Sequence, residues 1–374
     1  MRNIAITILN YSVNIAIEHN YKDPKIVKGY MVVWYRSHII PFILIFMAIM
    51  IIATGAWIRV NDAGESCPDW PQCFGTWGFD VSEEEQAEWW EEHPEEIDSR
   101  GAEHRYTSSQ IFTEWLHRLL VGAIGFFVIY SHFTAWSLRE EIGDRVYQLH
   151  SIATFLLVLQ AIVGAITVDM DNAPWTVAMH LSLALFFTSS LIAVGFYWWE
   201  KQSKLPENIY VSNVTDEIRK IVGIVGLIVL FQLVVGAFLS SGYHSGACGI
   251  GFMDGWPLCG GKIVPEFNQA GVSIQFIHRF FAIIISGILL WANRKIKSEV
   301  DNSVVTGLMH SALALYNVNL LLGGWYIISA GQTSEAVFSS HIGLTHSLLG
   351  SLTFLILITI YFIFVISIQR TNKG

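Results

Sequence analysis

Residues 114–125 read EWLHRLLVGAIG, and residues 275–286 read QFIHRFFAIIIS. Both are apolar, both place His-Arg at the same step, and neither alternates as a half-buried strand would, so one membrane helix has been written twice. The likeness spreads outward from these two stretches. CPDWPQCFG (67–75) returns as FMDGWPLCGG (252–261), and AMHLSLAL (178–185) returns as LTHSLLGS (344–351). Matched in order, the segments make the second half of the chain a repeat of the first, each matched pair crossing the membrane in the same direction.

The composition agrees, with 53% hydrophobic and only 14% charged residues and a positive mean hydropathy. Eight apolar stretches, near 38–59, 111–137, 147–168, 175–199, 219–241, 273–292, 304–329 and 341–367, are each long enough to cross roughly 30 Å of hydrocarbon at about 1.5 Å per residue. Backbone polar groups must be paired within lipid, so these segments predict helices, and no barrel-like alternation competes. The expected fold is an all-α integral membrane protein, eight transmembrane helices arranged as two tandem, parallel-related four-helix bundles. The expected division is a cytoplasmic tail 1–37, a first bundle 38–199 with a large acidic outer loop 60–110, a cytoplasmic linker 200–218 with Pro206, Asn208 and Ser212, a second bundle 219–368, and a tail 369–374.

Lys and Arg set the orientation. Arg2, Lys22, Lys25, Lys28, Arg36, Arg139, Arg145, Lys201, Lys204, Arg219, Lys220, Arg294, Lys295, Lys297, Arg370 and Lys373 fall on one side, against Arg59, Arg100, Arg105 and Lys262 on the other. Both termini are therefore expected in the cytoplasm. Residues 1–30 show no cleavable signal, and no Arg-rich, acid-poor leader of an imported mitochondrial protein is evident, which points to the plasma membrane of a prokaryote. The net charge of −9 is concentrated in SEEEQAEWWEEHPEEID (82–98), read as a solvated, partly helical hairpin. Nothing suggests nucleic-acid binding.

All four cysteines lie on the outer loops, one pair per loop, where disulfides persist. CPDWPQC lacks the two-residue spacing of zinc knuckles, so Cys67–Cys73 and Cys248–Cys259 are expected as local disulfides rather than free or metal-bound thiols. A thiol-exchange role for Cys67–Cys73 is the alternative to stapling, and the second pair, above the other half, favours stapling.

His117, His180, His278 and His346 lie on spans two, four, six and eight, each within roughly two turns of the outer entry. Ionisable groups inside a membrane point to function, and two neutral imidazoles facing each other across a bundle can ligate one haem iron axially. The alternative for any one of them, a hydrogen bond to a neighbouring helix, weakens for four at matched depth. His38, His93, His104, His132, His150 and His244 fall at span ends or in loops, where solvation suffices; His310 starts span seven on the cytoplasmic side; His341 either caps span eight or lies at a pocket mouth.

Arg118 and Arg279 directly follow the first histidine of each half, where each either meets a haem propionate or snorkels to the outer interface. The two halves disagree one turn earlier. Glu114 shares a helix face with His117, while its counterpart in the second half is Gln275. One site thus carries an ionisable carboxylate and the other a neutral amide. Glu114 reads either as an ion-pair partner of Arg118 or as a catalytic carboxylate, and the two roles are compatible.

In the order CPDWPQC, EWLHRLL, AMHLSLAL, QFIHRFF and LTHSLLG, from about residue 40 to 367, the sequence resembles the haem A synthases of the aerobic respiratory chain. The resemblance implies a haem O substrate whose C8 methyl is oxidised to a formyl group by successive hydroxylations and loss of water, for cytochrome c oxidase biogenesis. It further implies that His117, His180 and Glu114 hold and act on haem O, that His278 and His346 hold a haem b cofactor, and that a haem O synthase and oxidase assembly factors are partners. The sequence departs from that family in an acidic insertion around 81–105 and in NDAGES (61–66) before CPDWP.

Two other classes stay open on the residues alone. A di-haem b-type electron carrier or quinol oxidoreductase would hold permanent haems in both pairs, and a parallel-repeat transporter would use the histidines for protons. Haem extraction separates all three.

Overall fold

The computed structural model describes Gly29 and residues 32–35, 39–242, 244–332 and 337–372. Most of the expected tail 1–37, together with His38 and Lys373, lies outside the described residues. Nine helices carry the account: α1 (Ile40–Val60), α2 (Glu83–Glu92), α3 (Ser108–Ser137), α4 (Asp144–Asp169), α5 (Pro174–Lys201), α6 (Asp216–Ser241), α7 (Ala270–Glu299), α8 (Ser303–Ala330) and α9 (Ser340–Thr371). All but α2 are long and apolar enough to cross a membrane. Among the described residues there is no β-strand, only three isolated bridges in the two loops that carry the cysteines. The protein is a multi-pass, all-helical membrane protein.

The starts of the helices follow from their sequences. Thr107 caps α3 in a capping box with Gln110, Pro41 and Pro174 stand in the first turns of α1 and α5, and Thr215, Asn302 and Ser339 accept from the third residue beyond to cap α6, α8 and α9. Helices α7 and α9 outrun the apolar stretches, and in α7 the charged extension is supported by a Lys295–Glu299 ion pair at 2.8 Å. The linker is correspondingly shorter than 200–218: α5 continues to Lys201 and α6 begins at Asp216, with one 3-10 turn at Glu207–Ile209 between them.

Helix α1 packs on α3 and α5, and α4 fills the remaining corner against α3 and α5; α6, α7, α8 and α9 contact one another in the same cyclic order. Between these two sets, α5 meets α6 and α9, and α1 meets α9. Apolar side chains have no advantage over lipid tails, so close approach of small residues carries much of this packing. A Cβ on Gly350 of α9 would stand 2.7 Å from Leu233 of α6. At the end nearest the cysteine-bearing loops, Arg59 donates to Ser241 Oγ at 3.3 Å and Ser340 Oγ donates to the Val60 carbonyl at 3.2 Å.

The acidic insertion is more than a solvated hairpin. Ser82 and Glu85 form a capping box for α2, whose glutamates are exposed, while Gln86 and Trp90, one turn apart, are buried. Trp90 packs with Cys67, Cys73, Phe74, Val81, Tyr106 and Ile111, and Gln86 exchanges hydrogen bonds with the Tyr106 backbone at 3.0 and 2.8 Å. The insertion therefore roofs the first disulfide.

Beside it, Glu65 of NDAGES is buried, paired with Arg100 at 2.9 Å and accepting from Asn172 Nδ2 at 2.5 Å. Burial pushes the Glu65 carboxyl above its usual range, opposed by Arg100 and Asn172. Removing the guanidinium leaves a buried carboxylate with one neutral partner, so Arg100→Ala is expected to make residues 60–107 protease-sensitive at neutral pH. A carboxyl with a raised folded-state pKa binds its proton more readily folded than unfolded, so acidification should restore protection, as should adding Glu65→Gln. Limited proteolysis of the three proteins at two pH values reads this directly.

Candidate functional site

The four histidines occupy equivalent places, and each is met by a glycine on the preceding helix. A Cβ built on Gly55 of α1 would lie 3.4 Å from His117 Cε1, on Gly164 of α4 2.8 Å from His180 Cε1, on Gly236 of α6 3.0 Å from His278 Cε1, and on Gly323 of α8 2.9 Å from His346 Cε1. These glycines let the neighbouring backbone approach the imidazoles edge-on.

Each ring also has a polar neighbour on that helix. Thr54 Oγ1 lies 2.9 Å from His117 Nδ1. The Gln160 amide nitrogen approaches His180 Nε2 at 3.2 Å, and the Gln232 amide nitrogen reaches His278 Nδ1 at 3.1 Å while donating to the His278 carbonyl at 2.8 Å. His346 Nδ1–H donates to the Asn319 main-chain carbonyl at 3.0 Å, which leaves Nε2 bare. Among the described residues, Nδ1 of His180 is buried with no partner.

The ring spacing tests whether such a pair fits one metal ion. Two imidazoles bound to one ion at about 2 Å each hold their ring centroids roughly 6.5 Å apart; those of His278 and His346 are 6.4 Å apart, with planes at 66°. Among the described residues no three His, Cys, Asp or Glu side chains gather into a metal cage. A pair of imidazoles alone suits a metal whose other ligands come with it, as in haem.

Beside the rings, the second residue of each His-Arg step is tied to the cysteine-bearing loop of its half. Arg118 Nη1 donates to the carbonyls of Asp69 and, at 3.1 Å, Gln72; Arg279 Nη1 donates to the equivalent carbonyls of Gly255 at 2.6 Å and Leu258 at 3.0 Å. Arg118 also donates through Nη2 to the Cys67 carbonyl at 2.6 Å and through Nε to Glu114 Oε1 at 2.9 Å. Arg279 Nη2 is buried without a partner among the described residues. Both loops carry the expected disulfides, Cys67–Cys73 and Cys248–Cys259, each with Cα atoms 4.4 Å apart.

Glu114 and Gln275 are both buried, and their engagements differ. Gln275 ties both ends of its amide to the loop, accepting from the Cys248 N–H and donating to the Ser245 carbonyl, both at 2.5 Å. Glu114 Oε1 takes the Arg118 hydrogen bond, while Oε2 accepts none among the described residues. Gln275 is tied into the loop; among the described residues, only one Glu114 oxygen is engaged.

A family model described as cytochrome oxidase assembly protein, COX15-CtaA, matches residues 38–358. The chain belongs to that family. Similar curated proteins include the heme A synthases of Shewanella oneidensis (26% identity, covering 66% of this chain and 75% of that protein), Shouchella clausii (24%; 65% and 70%) and Novosphingobium aromaticivorans (25%; 81% and 89%). The part of the chain matched to the cytochrome oxidase assembly family holds all four histidines, Glu114, Gln275, both arginines, both disulfides and the acidic insertion.

The remaining histidines of this family member divide differently from the sequence reading. His150 is not solvated: it is 4% exposed inside α4, its Nδ1 2.9 Å from the Val146 carbonyl and its ring 5.2 Å from that of Trp198. It was expected at the solvated end of the span 147–168; the helix begins earlier, at Asp144, and packs His150 inside. His341 does not cap α9, since Ser339 does; its ring lies tilted by 38° against Trp57 of α1, with centroids 5.3 Å apart. His93 stacks on Trp89 at 3.7 Å, His104 meets Tyr106 edge-on at 4.7 Å, and His310 is exposed.

Sequence reasoning also missed the residues that hold the rings. The signal was present: Gln160, Gln232 and Asn319 each stand four residues before Gly164, Gly236 and Gly323, at the same place in spans three, five and seven. In span one Gly55 has Ile51 at that step, and Thr54 makes the contact instead.

Proposed function

We propose that this protein is a haem A synthase, an oxidoreductase that converts the C8 methyl of haem O to a formyl group for cytochrome c oxidase. His117 and His180 hold the haem O substrate, His278 and His346 hold a haem b cofactor, and the two sites lie in two parallel-related four-helix halves, 38–199 and 219–368. Both termini face the cytoplasm of a prokaryotic plasma membrane, with a haem O synthase and oxidase assembly factors as partners.

Family membership and the heme A synthase relatives support the activity. The observation that carries the division of labour is the contrast between Glu114, with only one oxygen engaged among the described residues, and Gln275, whose amide is tied to the loop at both ends. Bound haem supplies redox chemistry at its iron and ring; the rest falls to the chain. Oxidising a ring methyl places positive charge on carbon and releases protons, and a buried carboxylate stabilises the first and accepts the second. Glu114 is suited to that role and Gln275 is not. Arg118 keeps Glu114 oriented while anchoring the Cys67–Cys73 loop, and its donors are largely engaged there. Of the two candidate propionate contacts, Arg118 and Arg279, an Nη2 without a partner among the described residues makes Arg279 the better suited. The disulfides serve as staples.

Co-expression with a haem O synthase, followed by chromatography of the extracted haems, tests the function. Haem A together with haem b is expected; haem b alone would make the protein a di-haem electron carrier.

A further inference from the structure

Three of the four ring-holding positions are amides one turn before a glycine, and the fourth is not. At His117 the amide is replaced by Ile51, and the contact passes to Thr54, directly before Gly55. A threonine hydroxyl has one hydrogen to give. Here it is directed at the Ile51 carbonyl of its own helix, 3.0 Å away. The Ile51 carbonyl can only accept, and a hydroxyl that gives its hydrogen there meets His117 Nδ1, 2.9 Å away, with a lone pair; in that arrangement Nδ1 carries the proton and Nε2 is left bare for a metal.

His346 makes the same kind of bond to a different acceptor, the main-chain carbonyl of Asn319 at 3.0 Å. A peptide carbonyl is the stronger acceptor, and the stronger the bond at Nδ1, the more electron density the ring passes to a metal at Nε2. The space beside these two rings differs in the same sense. A Cβ built on Gly55 would lie 3.4 Å from its ring, an ordinary contact, whereas one on Gly323 would lie 2.9 Å from His346; His180, the second ligand of the first site, is met as closely, at 2.8 Å from a Cβ on Gly164, so the looser contact is at His117 alone. His117 is the more loosely held ligand, His346 the more rigid.

We infer that Thr54 is the positioning residue of the substrate site: its hydroxyl fixes the His117 tautomer for iron binding and, as a weaker acceptor than a peptide carbonyl, leaves that haem exchangeable while the second is retained. A substrate haem must leave as product, and a cofactor must not. This rests on the assignment of haem O to the His117–His180 pair.

The test uses the full chain in lipid nanodiscs loaded with haem b, titrated with haem O and followed by optical and low-temperature EPR spectra and by redox potentiometry. Thr54→Val, which keeps the shape and removes the hydroxyl, is expected to weaken haem O binding about 10- to 100-fold. It should also raise the haem O midpoint potential and leave the haem b signal unchanged. Thr54→Ser, which keeps only the hydroxyl, should behave as wild type, and it remains decisive where the valine protein folds poorly. A Val variant that retains haem b with wild-type haem O affinity and spectra overturns the inference, as does a Ser variant as impaired as Val. His117→Ala separates the levels: if it abolishes haem O binding while Thr54→Val does nothing, the site assignment stands and Thr54 falls. If His117→Ala leaves haem O binding intact, the assignment itself fails and takes the inference with it.

Discussion

Glu114→Gln is expected to bind both haems yet form haem A on the order of 100-fold or more slowly, accumulating haem O or a hydroxylated intermediate. The substitution makes the first half resemble the second, with an amide where Gln275 stands, so the histidines and their glycines are untouched. The amide still offers an oxygen to Arg118, so the loop carbonyls of Cys67, Asp69 and Gln72 should stay bonded. What it loses is the charge and the proton acceptor. Haem chromatography of cells co-expressing a haem O synthase, with total haem measured in the purified protein, gives the answer. Normal haem A output would remove Glu114 from the chemistry and return it to an ion-pair role with Arg118. The mirror change, Gln275→Glu, should confer no activity on the second half and should loosen its loop, since a carboxylate cannot donate to the Ser245 carbonyl.

The second large effect lies in residues with no functional group. Gly323→Ala places a methyl 2.9 Å from His346 Cε1, and Gly164→Ala places one 2.8 Å from His180 Cε1. Neither contact is tolerable without moving the ring, and a displaced ring no longer faces its partner across one ion. Gly323→Ala should therefore lose haem b and Gly164→Ala should lose haem O, each with little change in the amount of folded protein. Gly55→Ala, at an ordinary 3.4 Å from His117 Cε1, is the internal control and should retain both haems. Haem-to-protein ratios in the three purified variants check the ordering. Equal haem content in all three would show that the rings have room to retreat.

Much of the fold was legible because its strongest signal is one-dimensional. A run of apolar residues long enough to span lipid declares itself, and the eight expected stretches lie close to α1 and α3 to α9. The ends were less clear where polar residues continue a helix beyond the apolar stretch, as at Arg294–Glu299 of α7. The acidic insertion shows the converse. Its charge dominated the sequence reading, while the short Gln86–Trp90 face that seats it on the Cys67–Cys73 loop is a minor feature of its composition.

The histidines and the Glu114–Gln275 exchange were visible because unusual residues stand out in an apolar background and a repeat supplies its own comparison. The glycines that meet the rings did not stand out, since glycine is common in membrane helices and its meaning here lies on a neighbouring helix. Arg118 and Arg279 were seen, but their main-chain acceptors carry no side-chain signature, so propionate binding and snorkelling were weighed while loop anchoring was not. Thr54 was hidden for a third reason: it departs from a pattern that had first to be recognised in the other three spans.

The central claim is that the two histidine pairs hold different haems. The most direct measurement is the haem composition of purified His117→Ala and His346→Ala proteins, each co-expressed with a haem O synthase. The first should retain haem b and lose haem O and haem A; the second should lose haem b. Loss of the same haem from both proteins, or haem b alone in the wild type, would contradict the account.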